Sequence, residues 1–599
     1  MWVDYKKAYD SIPHSWLIEM MKIYKIDKQT INFITKFMPS WRTKIHLPHV
    51  NGCLTTEDIT FLRGIFQGDT LSPLLFCLAL APIRNILKKA NIGYKIGNTK
   101  VSNLLYIDDL KCYAKDDVEM ERCRALIEEF SADIAMTFGL QKCAIIHMKK
   151  GKVVNLPTVE GMPILENDDS YKYLGILQNN KIIHEKSKDK AKKEFLNRVR
   201  MILKAELNAK NTTDAIKTYA MPIMRYGFGV LKWTANELRA IDRKVRKILT
   251  KGRFHHPKSN THRLYLSRKE GGRGLIGTTD CHRQECTKLA EYLSLGTDQS
   301  SRIICQFEKT KKHGILSFLD PVRGGKTEDI DKEHAEGLKA MELHGQYFDR
   351  MEKTPNINMP LSRRWLEIPY LRFETESLLC AAQEQALATN YTRAKIWGSG
   401  KSSLCRLCKE QNETVHHIVS GCKMLCGTQY TYRHNQVAKY LHWQILKDLK
   451  IKVSESWLKH IPTEVVSKDG IKVMWDSYIL TDKKVPHNRP DIIIHDTNLQ
   501  ECLLVDVAIP VCMNIVKKEA EKITKYRDLE IEIQKCWNLK KVRTIPIVIG
   551  ALGSVTMGIV GYMESISKNL NFDVIQRTAL MGSAHILRNI LTPIEKTTK

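Results

Sequence analysis

Two adjacent carboxylates, Asp108 and Asp109, follow the short apolar run Leu104-Leu105-Tyr106-Ile107, and a third acid, Asp4, stands between Val3 and Tyr5. Carboxylates are the oxygen ligands that magnesium prefers, and two such ions about 3.5–4 Å apart can activate a hydroxyl and steady a leaving pyrophosphate. Three acids so grouped suit template-directed nucleotide transfer. An acidic pair at a turn is by itself usually solvated surface, so the reading leans on its surroundings. Residues 104–107 read as a buried strand, Asp108-Asp109 as a tight turn, and Leu110-Lys111-Cys112-Tyr113 as the returning strand of a hairpin. Far downstream, Asp491 follows Pro490 and leads into Ile492-Ile493-Ile494, while Asp506 lies inside Leu503-Leu504-Val505-Asp506-Val507-Ala508. A charge between valines on an apolar strand is costly without a partner, and a metal ion would be a suitable one. Residues 517–526 read as a helix holding Lys522, Lys525 and Tyr526. Between the two acid sets, Cys405 and Cys408 are followed by His416, His417 and Cys422. That spacing fits a tetrahedral zinc site with either histidine as the third ligand.

The opening residues, Trp2-Val3-Asp4-Tyr5-Lys6-Lys7-Ala8-Tyr9-Asp10-Ser11-Ile12, resemble the first palm motif of LINE-type reverse transcriptases. The resemblance implies that Asp4 binds magnesium and that Tyr9 stands under the incoming sugar as a gate against a 2′-hydroxyl; Asp10 is not the ligand. Gly64-Ile65-Phe66-Gln67-Gly68-Asp69-Thr70-Leu71-Ser72-Pro73 resembles the second motif, a glycine loop that opens a helix. Glycine lacks a side chain, so the backbone at Gln67 and Gly68 can approach template and nucleotide. Phe138-Gly139-Leu140-Gln141-Lys142-Cys143 resembles the motif whose lysine, here Lys142, lies near the triphosphate. Tyr171-Lys172-Tyr173-Leu174-Gly175-Ile176 resembles the hairpin that grips the primer end. In this family a fingers subdomain precedes the first motif. Met1 stands three residues before Asp4, so the resemblance implies an N-terminally truncated copy with the fingers missing.

The wider sequence must position these groups. At 599 residues, several domains with their own cores are expected. The net charge of +28 and pI near 9.4 call for a polyanionic partner, and nucleic acid is the natural one. Sixteen cysteines, scattered apart from one cluster, and no leading apolar segment favour a reducing nucleus or cytosol. An uncharged stretch over 545–563 is broken by glycines and a proline; strand, turn and core helix suit it better than a membrane span. Residues 185–290 read as helices, with Ile216, Tyr219, Ala220 and Ile223 as a core stripe. From Arg239 to Arg273, twelve Lys or Arg oppose two acids, interleaved with Phe254, His255, His256 and Tyr265. A one-sign excess with planar side chains predicts phosphate contacts and base stacking, through Arg243, Lys244, Arg246, Lys247, Arg263, Arg268 and Arg273. The run Arg263-Leu264-Tyr265-Leu266-Ser267-Arg268-Lys269-Glu270-Gly271-Gly272-Arg273 is similar to a segment after the thumb in site-specific elements of the same family.

Acid, acid, then lysine across neighbouring strands and a helix resembles the restriction-like endonuclease that ends site-specific non-LTR retrotransposon polyproteins. The resemblance implies Asp491 and Asp506 as magnesium ligands and Lys522, in preference to Lys525, as the lysine that orients or deprotonates water. Arg433 in Tyr432-Arg433-His434-Asn435 is a further candidate for that site. The family's zinc pattern favours His417 over His416, giving Cys405, Cys408, His417 and Cys422. The chain is thus read as α+β multidomain: a right-hand polymerase palm (1–180), helical thumb with basic segment (181–290), helical linker (291–400), small zinc knuckle (401–425) and α/β restriction-like nuclease domain (426–599). Expected is an RNA-directed DNA polymerase and endonuclease acting by target-primed reverse transcription and leading to DNA integration. A nicked genomic strand would prime copying of the element's RNA. Its partners would be that RNA, genomic DNA and deoxynucleoside triphosphates, with no membrane. The setting would be the nucleus, and the cytoplasm before import. The alternative is a catalytically inactive nucleic-acid-binding remnant.

Overall fold

The apolar residues flanking Asp4 and Asp109 pair as neighbouring strands in a computed structural model of the chain. The structure describes residues 1–49, 52–97, 99–154, 161–166, 169–399 and 401–591. Two units result, residues 1–190 and 191–599. In the first, β1 (Trp2–Val3), β2 (Asn103–Tyr106) and β3 (Asp109–Cys112) form an antiparallel sheet in the order β1-β3-β2. Val3, Leu110 and Cys112 sink into a core with Leu75, Phe76 and Leu80 of α1 (Ser72–Leu80). A separate hairpin, β4 (Tyr171–Tyr173) and β5 (Ile176–Gln178), follows. The run before Asp108 is not the buried strand expected from its composition: Leu104 and Tyr106 are 43% and 59% exposed. As the edge of a three-stranded sheet, β2 alternates, and Leu105 turns to the core. The tight turn also shifts by one residue: Ile107 and Asp108 form it, and Asp109 already pairs with Tyr106.

Helices open the second unit. In α2 (Ala235–Lys251), a capping box of Thr234 and Glu237 starts the helix. Its buried stripe is Leu238, Ile241, Val245 and Leu249, while Arg243, Lys244 and Lys247 face solvent. The expected stripe through Tyr219 is interrupted. Ile216–Ala220 is a π-helical turn, whose extra residue rotates Tyr219 outward to 64% exposure while Ile216 and Ala220 stay buried. Residues 291–400 are not a linker. There, α3 (Phe373–Gln383) is buried on almost every side, and Leu379 and Cys380 share one core with Val419, Ala508 and Leu587. Few polar positions on α3 can face water, so the segment folds as part of the unit rather than bridging parts of it.

A five-stranded sheet follows: β6 (Val465–Lys468), β7 (Ile471–Trp475), β8 (Ile492–Asp496), β9 (Glu501–Ala508) and β10 (Lys541–Val548), in that spatial order. All pairs are antiparallel except the last, β9 with β10, which is parallel. Parallel strands need a crossover, supplied by α5 (Ile515–Lys525) and α6 (Arg527–Cys536). On one face Val505 and Val507 pack with Val437 and Leu441 of α4 (Thr431–Asp448). On the other, Cys502 and Leu504 meet Tyr526, Leu529 and Ile533. The last helix, α7 (Phe572–Leu591), closes the core. The uncharged stretch becomes β10, a turn and the helix Ile559–Ile566, and no helix among the described residues is long and apolar enough to cross a membrane.

Candidate active sites and metal centre

Strand register builds the first site. Trp2 pairs with Lys111 and Val3 with Leu110, so one step further the antiparallel register sets Asp4 opposite Asp109. Opposed residues share a face with Cβ atoms about 4.5–5.5 Å apart. Asp108 occupies the adjoining turn beside Ile107, whose φ of 56° is unfavourable for a β-branched residue. Packing of Ile107 against the first unit's core holds it there. Burial, with Asp108 and Asp4 nearby, raises the pKa of Asp109, as expected of acids crowded at one place. Lys142 Nζ lies 3.7 Å from Asp4 Oδ2, and a Cβ at Gly139 would come within 3.1 Å of that oxygen, so glycine keeps the approach open.

Tyr9 stacks on Phe76 of α1, with centroids 4.9 Å apart and planes 9° from parallel. The glycine loop is tied to the same place. Ile65 N donates to Tyr9 O at 2.8 Å, and Gly64 N to Ile12 O at 2.8 Å. Gly64 has φ +88°, and a Cβ there would strike the Asp10 backbone at 2.9 Å. Gln67 and Gly68 lie beyond this anchor, exposed. The β4–β5 hairpin packs against the strands: Tyr171 stacks on Trp2 at 5.0 Å, and the Tyr173 hydroxyl donates to Asp109 O at 3.4 Å. Lys111 Nζ donates to Gln178 Oε1 at 2.7 Å, and burial brings its pKa down to about 8.

The same device recurs in the second unit. Ile492 pairs with Val505, so the continued register sets Asp491 opposite Asp506. Asp491 Oδ2 accepts from Val507 N at 2.6 Å and from His434 Nε2 at 3.0 Å. Burial opposes ionisation of Asp491, but His434, the Val507 amide and Lys522 together outweigh it and lower the pKa. Burial likewise opposes charge on His434, and the Asp491 carboxylate lifts it to about 9. Asp506, 2% exposed, is held from α5 and its end: Lys522 Nζ forms an ion pair with its Oδ2, Tyr526 Oη lies 2.5 Å from Oδ1, and Lys525 Nζ is 3.7 Å from Oδ1. Lys522 is therefore the nearer of the two amines to Asp506. Lys525 instead donates to the Tyr526 hydroxyl at 2.8 Å. Arg433 does not reach the acids. It is 2% exposed and donates to Ser583 Oγ and Ile509 O, because its side of α4 faces α7. His434, its neighbour, is the α4 residue at the site. Composition did not single it out, since one histidine beside an arginine carries no spacing signal.

The Cys405, Cys408, His417 and Cys422 ligand atoms all lie within 4.8 Å of one another. Tetrahedral zinc puts two sulfurs about 3.8 Å apart and a sulfur and nitrogen about 3.6 Å apart. The corresponding separations are 3.9 Å between the Cys405 and Cys422 sulfurs and 3.4 Å from Cys408 Sγ to His417 Nε2. Zinc fits. The other His417 nitrogen, Nδ1, lies 3.0 Å from Gln411 Oε1, which orients the ring. His416 points elsewhere and is no ligand in this set. The group is less detached than a free knuckle: Cys405, Ile418, Val419 and Cys422 belong to the core of α3 and α7. Arg406 pairs with buried Glu413 at 2.7 Å and donates to Ile590 O of α7 at 2.6 Å. Metal analysis is expected to find one zinc per chain, lost in Cys405→Ser or Cys422→Ser. Structural zinc can contribute on the order of 10 kcal/mol in small domains. Hydrogen exchange should therefore quicken around 401–430 and in α7 as well. Protection of α7 unchanged by zinc loss would show the group to be independent of that core.

Residues 1–177 match the family of reverse transcriptases (RNA-dependent DNA polymerases), a span that holds the glycine loop, Lys142 and all three acids of the first site. The chain carries a reverse-transcriptase domain. It is 26% identical over 505 residues, 80% of this chain and 67% of the relative, to a retrovirus-related Pol polyprotein from type-1 retrotransposable element R2 of Popillia japonica. A second such polyprotein from that organism is 27% identical over 492 residues, 78% of this chain and 75% of the relative. One from Nasonia vitripennis is 22% identical over 590 residues, 93% of this chain but 50% of the relative. These alignments are far longer than the reverse-transcriptase domain, so the similarity to R2 retrotransposable-element polyproteins extends over most of the chain.

Beyond the reverse-transcriptase domain, three of the seven cations expected to touch nucleic acid are engaged within the fold, two of them buried and Arg268 partly so. Arg263 is 1% exposed, bonded to Glu384 at 3.3 Å, Cys380 O at 2.9 Å and Gly271 O at 3.1 Å. Arg273, 2% exposed, and Arg268 converge on Glu376 at 2.9 and 2.8 Å. Burial would raise the Glu376 pKa, but the two arginines hold it below the usual range. A buried charge must be paired, and these arginines are used up in pairing. Phe254 and His255 are buried too, with the Arg273 guanidinium 4.0 Å over the Phe254 ring. Arg243, Lys244 and Lys247 remain exposed, and Arg246 donates to Tyr265 Oη at 2.9 Å.

Proposed function

We propose that Asp491, Asp506 and Lys522 form a magnesium-dependent DNA endonuclease, and that the polyprotein couples it to its reverse transcriptase by target-primed copying. The observation that carries this reading is the β8–β9 register, which puts two carboxylates side by side with a lysine on one of them. An all-oxygen acidic donor pair suits a hard cation, and magnesium there would supply positive charge to a phosphate and acidify a water. The residues have separable tasks. His434 and the Val507 amide fix Asp491; Tyr526 fixes Asp506; Lys522 orients or deprotonates the water. In the reverse transcriptase, Asp4, Asp108 and Asp109 would hold magnesium. Tyr9 would exclude the 2′-hydroxyl, while Gln67, Gly68 and Lys142 receive the triphosphate. The exposed Arg243, Lys244 and Lys247, with Arg246, would contact phosphates.

A reverse transcriptase implies an RNA template, DNA and deoxynucleoside triphosphates as partners. Copying at a chromosomal nick would place the work in the nucleus. The test supplies supercoiled plasmid, element RNA and triphosphates together. Complementary DNA covalently joined to the nicked strand is expected, with Asp491→Ala abolishing the joined product but not extension of an added primer. Extension of added primers with no joined product in the parent would overturn the coupling.

A further inference from the structure

The loop between β7 and β8, residues 476–491, springs from the candidate nuclease centre and carries side chains that nothing in the fold requires to be exposed. Both ends are pinned there. Asp476 N donates to Asp491 O at 2.8 Å, and the Tyr526 hydroxyl beside Asp506 also bonds Arg489 O at 3.2 Å. Asp476 and Asp491 line one cleft together with His434, Trp475 and Tyr430. Further out, Ile479 is 4% exposed and anchors the loop among Ile493, Leu504 and Tyr526. Its backbone is clamped to Asn488 on the returning side, Ile479 N to Asn488 O at 2.9 Å and Asn488 Nδ2 to Ile479 O at 3.0 Å.

On either side of that anchor the apolar groups face water. Tyr478 is 66% and Leu480 90% exposed. The Arg489 guanidinium lies 4.5 Å over the Tyr478 ring, donates to its hydroxyl at 3.0 Å and pairs with Asp476 at 2.7 Å. Lys483 and Lys484 at the exposed end add positive charge. Of the loop's other acids, Asp476 is neutralised by Arg489, and Asp482 accepts from the Cys536 thiol at 3.6 Å. A rigid loop with a planar tyrosine–guanidinium pair, a projecting leucine and flanking lysines matches nucleic acid with a disturbed stack. Bases stack on aromatic and guanidinium planes, apolar side chains enter base steps, and lysines meet phosphates.

We propose that this loop is a wedge that holds an unstacked base of the DNA next to Asp491, with Tyr478 and Arg489 as the stacking surface and Leu480 entering the base step. The proposal rests on the nuclease reading of Asp491 and Asp506, because that reading makes DNA the occupant. Its test needs neither cleavage nor knowledge of the target sequence. Binding of the whole chain is measured without magnesium to a labelled duplex bearing a one-base bulge and to its fully paired counterpart. The parent is expected to bind the bulged duplex about tenfold more tightly, the effect of stacking one base. Leu480→Ser and Tyr478→Ala should each bring that ratio close to one while leaving affinity for paired DNA within about twofold. Both side chains are largely exposed, so zinc content and melting temperature should match the parent. Equal affinity of the parent for the two duplexes, or a preference that survives both substitutions, overturns the wedge. Nicking is measured separately with Asp506→Ala. Nicking that depends on Asp506, in a parent without bulge preference, would reject the wedge and spare the nuclease. A bulge preference lost in Leu480→Ser, in a parent whose nicking ignores Asp506, would reject the nuclease and spare the loop's affinity for unstacked DNA.

Discussion

Asp506→Ala is expected to lower DNA nicking on the order of 10²–10³-fold, the scale of loss when one group that stabilises a transition state is removed. DNA binding should persist, and without metal it should tighten slightly because a negative charge has gone. The alanine also strands Lys522 and Tyr526 around an interior position, so Asp506→Asn, which keeps the shape and an acceptor for Tyr526, separates misfolding from lost chemistry. Both variants should be equally inactive. Lys522→Ala should slow nicking with magnesium binding retained, and Lys525→Ala should do less, since its amine lies 3.7 Å from the carboxylate and leans on Tyr526. Activity should require magnesium or manganese and fall as salt rises, because a basic surface must displace counterions. Parental nicking by Asp506→Asn would refute the assignment, and the five-stranded sheet would then serve binding only.

Asp108→Ala is expected to abolish RNA-templated DNA synthesis. A metal ligand lost from a phosphoryl-transfer site costs on the order of 10³-fold or more. Asp108 sits at a partly exposed turn rather than in a strand, so the hairpin and the melting temperature should be unaffected. Primer–template binding, measured without triphosphate, should equal that of the parent. Primer extension by the variant at the parental rate would remove Asp108 from the chemistry. The same assay bears on Lys142, whose amine is 3.7 Å from Asp4: Lys142→Ala should raise KM for the triphosphate more than it lowers kcat.

The sequence by itself determined what local chemistry and pattern carry. Acids inside or beside apolar runs pointed to strands presenting carboxylates, and the registers of β1 with β3 and of β8 with β9, continued by one residue, set them in opposed pairs. The C-x2-C spacing forms a turn whose sulfurs converge whatever surrounds it, so the metal centre was legible from spacing. Spacing alone left His416 and His417 open; the resemblance to the family's zinc pattern favoured His417, and the fold places that residue in the ligand set. Lys522 and Lys525 lie one turn apart on the same helix face, and only the position of Asp506 on β9 separates them. His434 was invisible for the same reason: its partner is 57 residues away.

Tertiary structure alone decided the fate of the arginines. A basic run reads as a solvated, phosphate-binding face because sequence shows charge without its partners. Glu376 and Glu384 are more than a hundred residues from Arg268, Arg273 and Arg263, and burial of four of the five, with Arg268 partly covered, turns apparent surface into ion pairs of the fold. The segment 291–400 shows the same limit of local pattern. Its polar composition hid α3, whose small and apolar residues form a core only when the zinc group and α7 close over them. Periodicity reports which face of an element is apolar; what covers that face is set by contacts between distant parts of the chain, which no local pattern encodes.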